Sequence, residues 1–542
     1  MGNIVSPGTM SFETAINSEI YVDKTGMLAY LNRVIGTKQR FVCVSRPRRF
    51  GKTTAADMVC AYYDYSVGSA AIFDKYVISE DESFKKHMNK YYVIHINMLD
   101  YIGKEKNMFQ LLQSDILHEL YEEGIIEEGY DNGNLKKAIE KSFSKNEKQF
   151  IFVIDEWDCI FRNLQEETKL QKEYLDFLRD LLKDNKNIAL VYMTGILPIK
   201  KYGEHSALNM FDEFSMVDAG ELSDYVGFTD YEAKNLCDKY KVDYAKVKEW
   251  YDGYVLKYKK RECNNGEIVG WRDCSVNLYS PESVVNCMMK GDFKNYWNAT
   301  ETIEALKVHI ERNEDGLSEI ISVLINGGRY KVNIKKYQND MTTFVSADDV
   351  LTLLIHLGYL GYDSETEEVF IPNKEILDEY KNSVERNGKW NRLFAILNDS
   401  ERLLIATWEK DSETVAELLE YAHDRASNMT YNSEAALSYA VQLAYYSAHN
   451  YYTLIQELDT GKGYADLVYI PAPEHPDKPA LLIELKYDES AKTAITQIEK
   501  NNYPQVLEAY KGNLIVVGIS YDKDADSKKY NYKHHSCIIK EL

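Results

Sequence analysis

Four short, nearly continuous apolar runs punctuate the first two hundred residues: Arg40–Ser45, Tyr91–Ile96, Phe150–Ile154 and Ile188–Met193. Each is rich in β-branched or aromatic residues, and stretches of helical periodicity separate them. Strands buried on both faces read this way, and their alternation with helices predicts a parallel α/β sheet. Residues 221–298 read as mainly helical, broken by a loop near Asn264-Asn265-Gly266. Further on, Ala347–His356 reads as a helix ending at Gly358. Tyr359–Tyr362, a polar turn over 363–368 and Val369–Ile371 then read as a hairpin. A helix followed by a hairpin is compatible with a winged-helix unit, and equally with a small helical connector. Two amphipathic helices are expected over 390–425, and helix and strand mix again over 426–542. The fold class is therefore multidomain α/β, with divisions expected near residues 220, 298 and 425.

Composition narrows this picture without changing it. A chain of 542 residues has room for several domains, and 45% hydrophobic with 28% charged residues excludes a disordered chain. Only 10 Pro are present, which argues for few flexible linkers. The formal net charge of -22 argues against coating nucleic acid by bulk charge, while leaving room for a locally engaged site. No apolar run is long enough to predict a membrane span, and no leader pattern predicts export. Met1–Ser6 fits the myristoylation pattern, but so short a pattern recurs by chance. The eight Cys are scattered with no C-x-x-C pair, so neither a zinc site nor a disulfide framework is expected, and a reducing cytoplasm fits.

The first candidate chemistry lies where the run at 40–45 enters Arg46-Pro-Arg-Arg-Phe-Gly-Lys-Thr-Thr54 and a helix begins. The P-loop pattern is G-x-x-x-x-G-K-[ST]. Gly51, Lys52 and Thr53 fit it, and Arg46 stands in place of the first Gly. A strand-to-helix turn aims backbone N–H groups at an anion, helped by the helix N-terminus. Lys52 would reach the β- and γ-phosphates, and the Thr53 hydroxyl would hold Mg²⁺. About a hundred residues on, Phe150–Ile154 ends in Asp155-Glu156. Asp155 would complete the Mg²⁺ site, and Glu156 would polarise the attacking water. Thr194 follows the fourth apolar run, where a polar sensor of the γ-phosphate would sit. Arg46, Arg48, Arg49 and Thr54 are further candidates for the nucleotide, the arginines either as phosphate ligands or as solvated ion-pair partners. His205 and Asn209 read as packing residues. Strand-loop-GKT together with strand-DE predicts ATP with Mg²⁺.

The second candidate chemistry is C-terminal. Gly461-Lys-Gly-Tyr-Ala-Asp466 leads into one strand and Ala480-Leu-Leu-Ile-Glu484-Leu-Lys486 forms the next. Alternation puts Glu484 and Lys486 on one face, with Asp466 able to face them across the pair. Two carboxylates suit Mg²⁺ or Mn²⁺, and Lys486 suits orientation of an attacking water on a phosphodiester. Leu481, Ile483 and Leu485 mark a core strand, on which charges are costly unless paired or metal-bound. The helix at 491–498 supplies Gln497, and Tyr431-Asn-Ser-Glu434 supplies a further carboxylate. The bland alternative is that Lys486 simply bridges Glu484.

With these stretches in view, the chain resembles the bacterial AAA-ATPase-like proteins that carry a C-terminal PD-(D/E)XK nuclease-superfamily domain. The carrying residues are Tyr21-Val-Asp-Lys-Thr25, Arg46–Thr53, Ile154–Trp157, Thr194–Ile196, Trp250–Tyr254, His356–Leu360, Gly461–Asp466 and Glu484–Lys486. The R-P-R-R-F-G-K-[ST] form is typical of that family. The resemblance implies a P-loop ATPase domain over 1–220, a helical lid over 221–298, a helical or winged-helix-like linker over 299–425 and a restriction-endonuclease-like domain over 426–542. It matches Asp466, Glu484 and Lys486 to the nuclease motif, Glu434 to an acid on its first helix and Gln497 to a polar residue after the hairpin. The function expected is ATP binding and hydrolysis coupled to Mg²⁺-dependent cleavage of DNA or RNA, in defence or mobile-element biology, with self-association compatible. The alternative is a nucleotide-switch scaffold whose nuclease-like domain only binds nucleic acid or protein.

Overall fold

The computed structural model describes residues 4–127, 133–199, 208–264, 267–297, 317–325, 327–339, 341, 344–385, 388–425, 437–438, 441–442, 444–459, 464–473, 475–500, 507, 510, 512–522 and 534–541. The chain forms two compact units, residues 1–318 with 329–379, and residues 319–328 with 380–542.

The apolar runs become the sheet of the first unit. Strands β1 (Phe41–Ser45), β2 (Tyr92–Asn97), β3 (Phe150–Asp155), β4 (Ile188–Gly195) and β5 (Asp212–Phe214) lie in the order β2-β3-β4-β1-β5, every pair parallel. All positions of β1, β3 and β4 are buried, as strands covered on both faces must be. Because β4 lies between β1 and β3, their carboxyl ends form one edge with a gap between the two loops. Open α/β sheets bind ligands in such a crevice. The helix Lys52–Tyr63 follows β1 and is buried almost all round, from Ala55 to Tyr63, so it is a central element of this unit.

The segment after the sheet differs in part from expectation. Helices Asp230–Tyr240, Tyr244–Tyr251 and Pro281–Lys290 agree with a helical reading of 221–298. Thr229 caps the first of them in a capping box with Glu232, and Ser280 followed by Pro281 starts the third. Between them, however, β7 (Tyr254–Asn264) and β8 (Glu267–Tyr279) form a long antiparallel hairpin, with β6 (Phe228–Thr229) added at the edge of β8. The physical signal is period-2 alternation, with Tyr254 and Leu256 inward and Val255 and Lys257 less buried, and an Asn-Gly dipeptide at 265–266. It outweighs the helical reading.

The helix Ala347–Leu357 ends at Gly358. It leads into the hairpin of β10 (Gly361–Asp363) and β11 (Glu368–Phe370), which β9 (Tyr330–Lys331) extends. This helix-hairpin unit is tied to the base of β7. The Tyr254 hydroxyl donates to the Gly358 carbonyl at 2.6 Å, and the Asn373 amide donates to the Asp252 carbonyl at 2.8 Å.

The second unit is built on β12 (Tyr452–Asp459), β13 (Tyr464–Pro471), β14 (Ala480–Tyr487), β15 (Leu514–Tyr521) and β16 (His535–Glu541), in that spatial order. Only the β14–β15 pair is parallel, and the helix Ala491–Lys500 lies in the crossover between them. The odd positions Leu481, Ile483 and Leu485 pack with Leu403, Leu418 and Leu419, so the helices Gly388–Glu409 and Ser412–Arg425 share the core of this sheet. The even positions Ala480 and Leu482 pack with Ile495 and Ile498. Among the described residues no helix is long and apolar enough to cross a membrane.

Candidate functional site

In the first unit the turn after β1 opens a cavity of about 770 Å³. Gly51, Lys52, Thr53 and Thr54 line one side of it, and Phe12, Tyr21, Tyr225 and Phe228 give it an apolar wall. Gly51 has φ +85°, and no atom lies within 4 Å of where a Cβ would be, so the loop presents bare backbone to the cavity. Left-handed backbone of this kind is what a turn wrapping an anion needs.

The loop and the β3 terminus meet. Thr53 Oγ1 donates to Asp155 Oδ2 at 2.8 Å, and the Glu156 N–H donates to Asp155 Oδ1 at 2.9 Å. A hydroxyl and a carboxylate joined this way are the oxygen pair that a Mg²⁺ ion with phosphates requires. Asp155 is almost fully buried, and that burial pushes its carboxyl up, with the Thr53 bond and Lys52 opposing. Lys52 is buried too, and donates to the Pro47 carbonyl at 3.0 Å. Burial pushes its ammonium down, while Glu156 and Asp155 pull it back up. An ammonium and a hydroxyl beside an open loop fit a nucleoside triphosphate with Mg²⁺.

Thr194 stands at the end of β4, between the two loops, because β4 pairs with both β1 and β3. It is fully buried behind the cavity, which it does not line, and its Oγ1 has no hydrogen-bond partner.

The arginines divide. Arg46, expected as a phosphate ligand, is fully buried and does not line the cavity. Its Nη1 donates to the carbonyls of Ser45 at 2.9 Å and Phe214 at 3.1 Å, bracing β1 against β5. The long side chain, in place of glycine, reaches inward to carbonyls that no local motif reveals. Arg49 lines the cavity but pairs with Glu282 at 2.8 Å and donates to the Tyr296 carbonyl at 2.6 Å. It fastens the loop to the helix Pro281–Lys290. Arg48 and Thr54 line the cavity. His205 lies outside the described residues, and the structure gives Asn209 no role at the site.

Glu156 lines the cavity with φ +52°, and its carboxylate is ion-paired with Arg162, which lines the same cavity. Arg162 Nε also donates to Asp158 Oδ2 at 2.9 Å. Sequence reasoning missed Arg162 and Asp158. The i,i+4 spacing of Asp158 and Arg162 after the strand-end acids was the available signal.

In the second unit the β13–β14 ladder runs to Leu467 opposite Ile483. One step further, Asp466 Oδ2 takes the place of a ladder carbonyl and accepts from the Leu485 N–H at 2.7 Å. Lys486 Nζ donates to Glu484 Oε1 at 3.1 Å, so these two side chains do share a face. Glu484 is 3% exposed. Gln497 is half-buried on the helix Ala491–Lys500. Glu434 lies outside the described residues. Among the described residues no three His, Cys, Asp or Glu side chains form a metal cluster. Asp466 and Glu484 supply two hard oxygen donors, which fit Mg²⁺ or Mn²⁺ retaining water.

Two stretches of the chain match known families. Residues 6–203 match the family described as predicted AAA-ATPase, and residues 437–531 match the PD-(D/E)XK nuclease superfamily. No curated protein matches the chain. Among solved structures that match, one of PCH-2 from C. elegans is 12% identical with a TM-score of 0.21, covering 44% of this chain and 52% of that one. The chain thus matches about half the length of that structure. The chain is thus similar to the predicted AAA-ATPase family over residues 6–203 and to the PD-(D/E)XK nuclease superfamily over residues 437–531.

Proposed function

We propose that the first unit binds and hydrolyses ATP with Mg²⁺, and that the second is a Mg²⁺-dependent phosphodiesterase acting on DNA or RNA. The observation that carries the first half is the Thr53–Asp155 contact, at the wall of a cavity that Thr53, Lys52 and Glu156 line. Bound there between Thr53 and Asp155, Mg²⁺ would neutralise phosphate charge. Lys52 binds the β- and γ-phosphates, Thr194 donates toward the γ-phosphate, and Glu156 accepts the proton of the attacking water. In the second unit Asp466 and Glu484 hold the cation, with Glu434 as a further acid, while Lys486 orients the attacking water and Gln497 the substrate. Nucleotide state in the first unit gates cleavage by the second, and foreign or mobile DNA is a compatible target.

Turnover is the test of the first half. Lys52→Ala and Glu156→Ala both lose ATP hydrolysis, and Glu156→Ala still binds nucleotide. Retention of turnover in either variant would sink the assignment. For the second half, nucleic acid cleavage that appears with Mg²⁺ and disappears in Lys486→Ala is expected. A purified chain inert toward all nucleic acids, with and without ATP, overturns it.

One observation favours a second reading for the C-terminal unit. Lys486 already bridges Glu484 at 3.1 Å, the arrangement of a structural ion pair. On that reading the nuclease-like sheet binds nucleic acid or protein without cleaving it, and assembly follows ATP while no product forms.

A further inference from the structure

Glu156, the proposed base, is not presented free to the cavity. Its carboxylate is held by Arg162, and both side chains line the cavity beside Gly51, Lys52 and Thr53. Arg162 is anchored from behind. Its Nε donates to Asp158 Oδ2 at 2.9 Å and its Nη2 lies 3.4 Å from Asp158 Oδ1. Asp158 is itself fixed, fully buried and accepting from the N–H groups of Leu197 at 2.8 Å and Ile196 at 3.2 Å, just after β4. Burial works against the guanidinium charge, but Asp158 and Glu156 outweigh it and hold Arg162 protonated. Arg162 and Lys52 line the same cavity, so a ligand bound at Lys52 shares it with the guanidinium.

A carboxylate engaged by a guanidinium competes poorly for a proton from water. A γ-phosphate entering beside Lys52 presents a second anion to the same guanidinium, with oxygens suited to its planar fork. Adenosine diphosphate presents none at that position. We propose that Arg162 is a positioning residue that senses the γ-phosphate: it holds Glu156 in the nucleotide-free chain and exchanges that carboxylate for the γ-phosphate of ATP, which frees Glu156 for water. The Asp158 anchor lets the guanidinium turn between the two anions without leaving the site. This rests on the reading of the cavity as a nucleotide site.

The test is calorimetric binding of ATPγS and of ADP, each with Mg²⁺, to the full chain. Arg162→Ala weakens ATPγS by about tenfold or more, the scale of one charge-assisted hydrogen bond, and leaves ADP within about twofold. Glu156→Gln removes the competing charge and strengthens ATPγS over ADP. The double variant Glu156→Gln/Arg162→Ala loses that gain. An ATPγS-to-ADP ratio equal in wild type and Arg162→Ala, or a gain that survives in the double variant, overturns the exchange. Should Arg162→Ala fail to fold, the ratio in Arg162→Lys decides, falling if the fork is needed and unchanged if Arg162 only braces the loop. Binding that is absent, or unaffected by Lys52→Ala, removes the nucleotide site itself and the exchange with it. Binding sensitive to Lys52 with an unchanged ratio removes the exchange alone.

Discussion

The two candidate sites are built at strand ends, but they draw on very different lengths of chain. In the C-terminal site one antiparallel pair does nearly all the positioning. Asp466 is on β13, Glu484 and Lys486 are two residues apart on β14, and backbone register alone brings them together. In the proposed nucleotide site Thr53 and Asp155 meet across 102 residues, and the loop carrying Thr53 is fastened further afield. Arg46 holds the Phe214 carbonyl, Arg49 holds Glu282 and the Tyr296 carbonyl, Phe50 packs edge-on to Tyr254, and Pro47 abuts Gly358. A site made by register is sensitive to its own residues and indifferent to remote ones. A site made by anchorage is adjustable from a distance, which suits the nucleotide turnover proposed for this loop.

The sharpest break of this contrast is at Lys486. Its removal takes the Lys486 ammonium away from the buried Glu484 carboxylate. The expected loss is about 3 kcal/mol of stability in the second unit and about 10²–10⁴-fold in any cleavage rate. Mn²⁺ added to Lys486→Ala restores much of the melting temperature, since a cation at Asp466 and Glu484 replaces the lost charge. A melt that ignores Mn²⁺ would favour the purely structural ion pair. The corresponding cut in the first unit is milder. Thr53→Ala weakens ATP by roughly ten- to a hundredfold in Mg²⁺, the cost of one or two charge-assisted contacts. In EDTA it has little effect. An equal loss in both media would mean that Thr53 acts through the loop and not through the cation.

The same contrast explains what could be read in advance. Lys52 and Thr53 were legible from the loop and helix start that follow one apolar strand, and Asp155 and Glu156 from the end of another, because the parallel sheet carries those strand ends to one edge. Asp466, Glu484 and Lys486 were legible from alternation. Arg46 was misleading, because its motif position says phosphate while its direction is set by a carbonyl on β5, 168 residues away in sequence. Arg162 was invisible as a partner of Glu156, since the left-handed turn at Glu156 that aims its carboxylate back has no sequence mark. The hairpin of β7 and β8 was legible in principle, from its alternation and Asn-Gly dipeptide. The charged stretch Lys259–Glu262 obscured it, because such a run fits a solvated helix equally well.

Gly358 probes the anchorage directly. It has φ +86°, and a Cβ there would lie 2.8 Å from Pro47 Cβ and 2.9 Å from the Trp297 ring. Gly358→Ala therefore combines backbone strain with a clash against the phosphate loop, costing about 1–3 kcal/mol. Thermal unfolding of the first unit measures that cost. ATP affinity falls with it, while cation-dependent stabilisation of the second unit is unchanged. If affinity stays at the wild-type level despite the lower melting temperature, the loop is not mechanically tied to this wall.

Glu375 offers the gentlest probe, because it acts on the segment that Arg49 grips. It is 1% exposed, and its Oε1 accepts from the N–H groups of Tyr296 at 2.7 Å and Trp297 at 3.0 Å. Burial pushes its carboxyl up from 4.5 to about 7, with those N–H groups and Arg49 opposing. Between these values the folded chain keeps a proton that the unfolded chain has released. The stability this group contributes is therefore complete below about pH 4.5 and is lost as pH rises toward 7. Glu375→Gln retains the Oε1 acceptor for both N–H groups and never ionises. It should match the wild type near pH 5 and exceed it at pH 8 by about 1–3 kcal/mol, read from melting temperatures at the two values. Because the Tyr296 carbonyl stays in place for Arg49, ATP affinity should hardly change. A variant less stable than the wild type at pH 8 would mean that the Glu375 charge itself, facing Arg49, holds this wall of the nucleotide site.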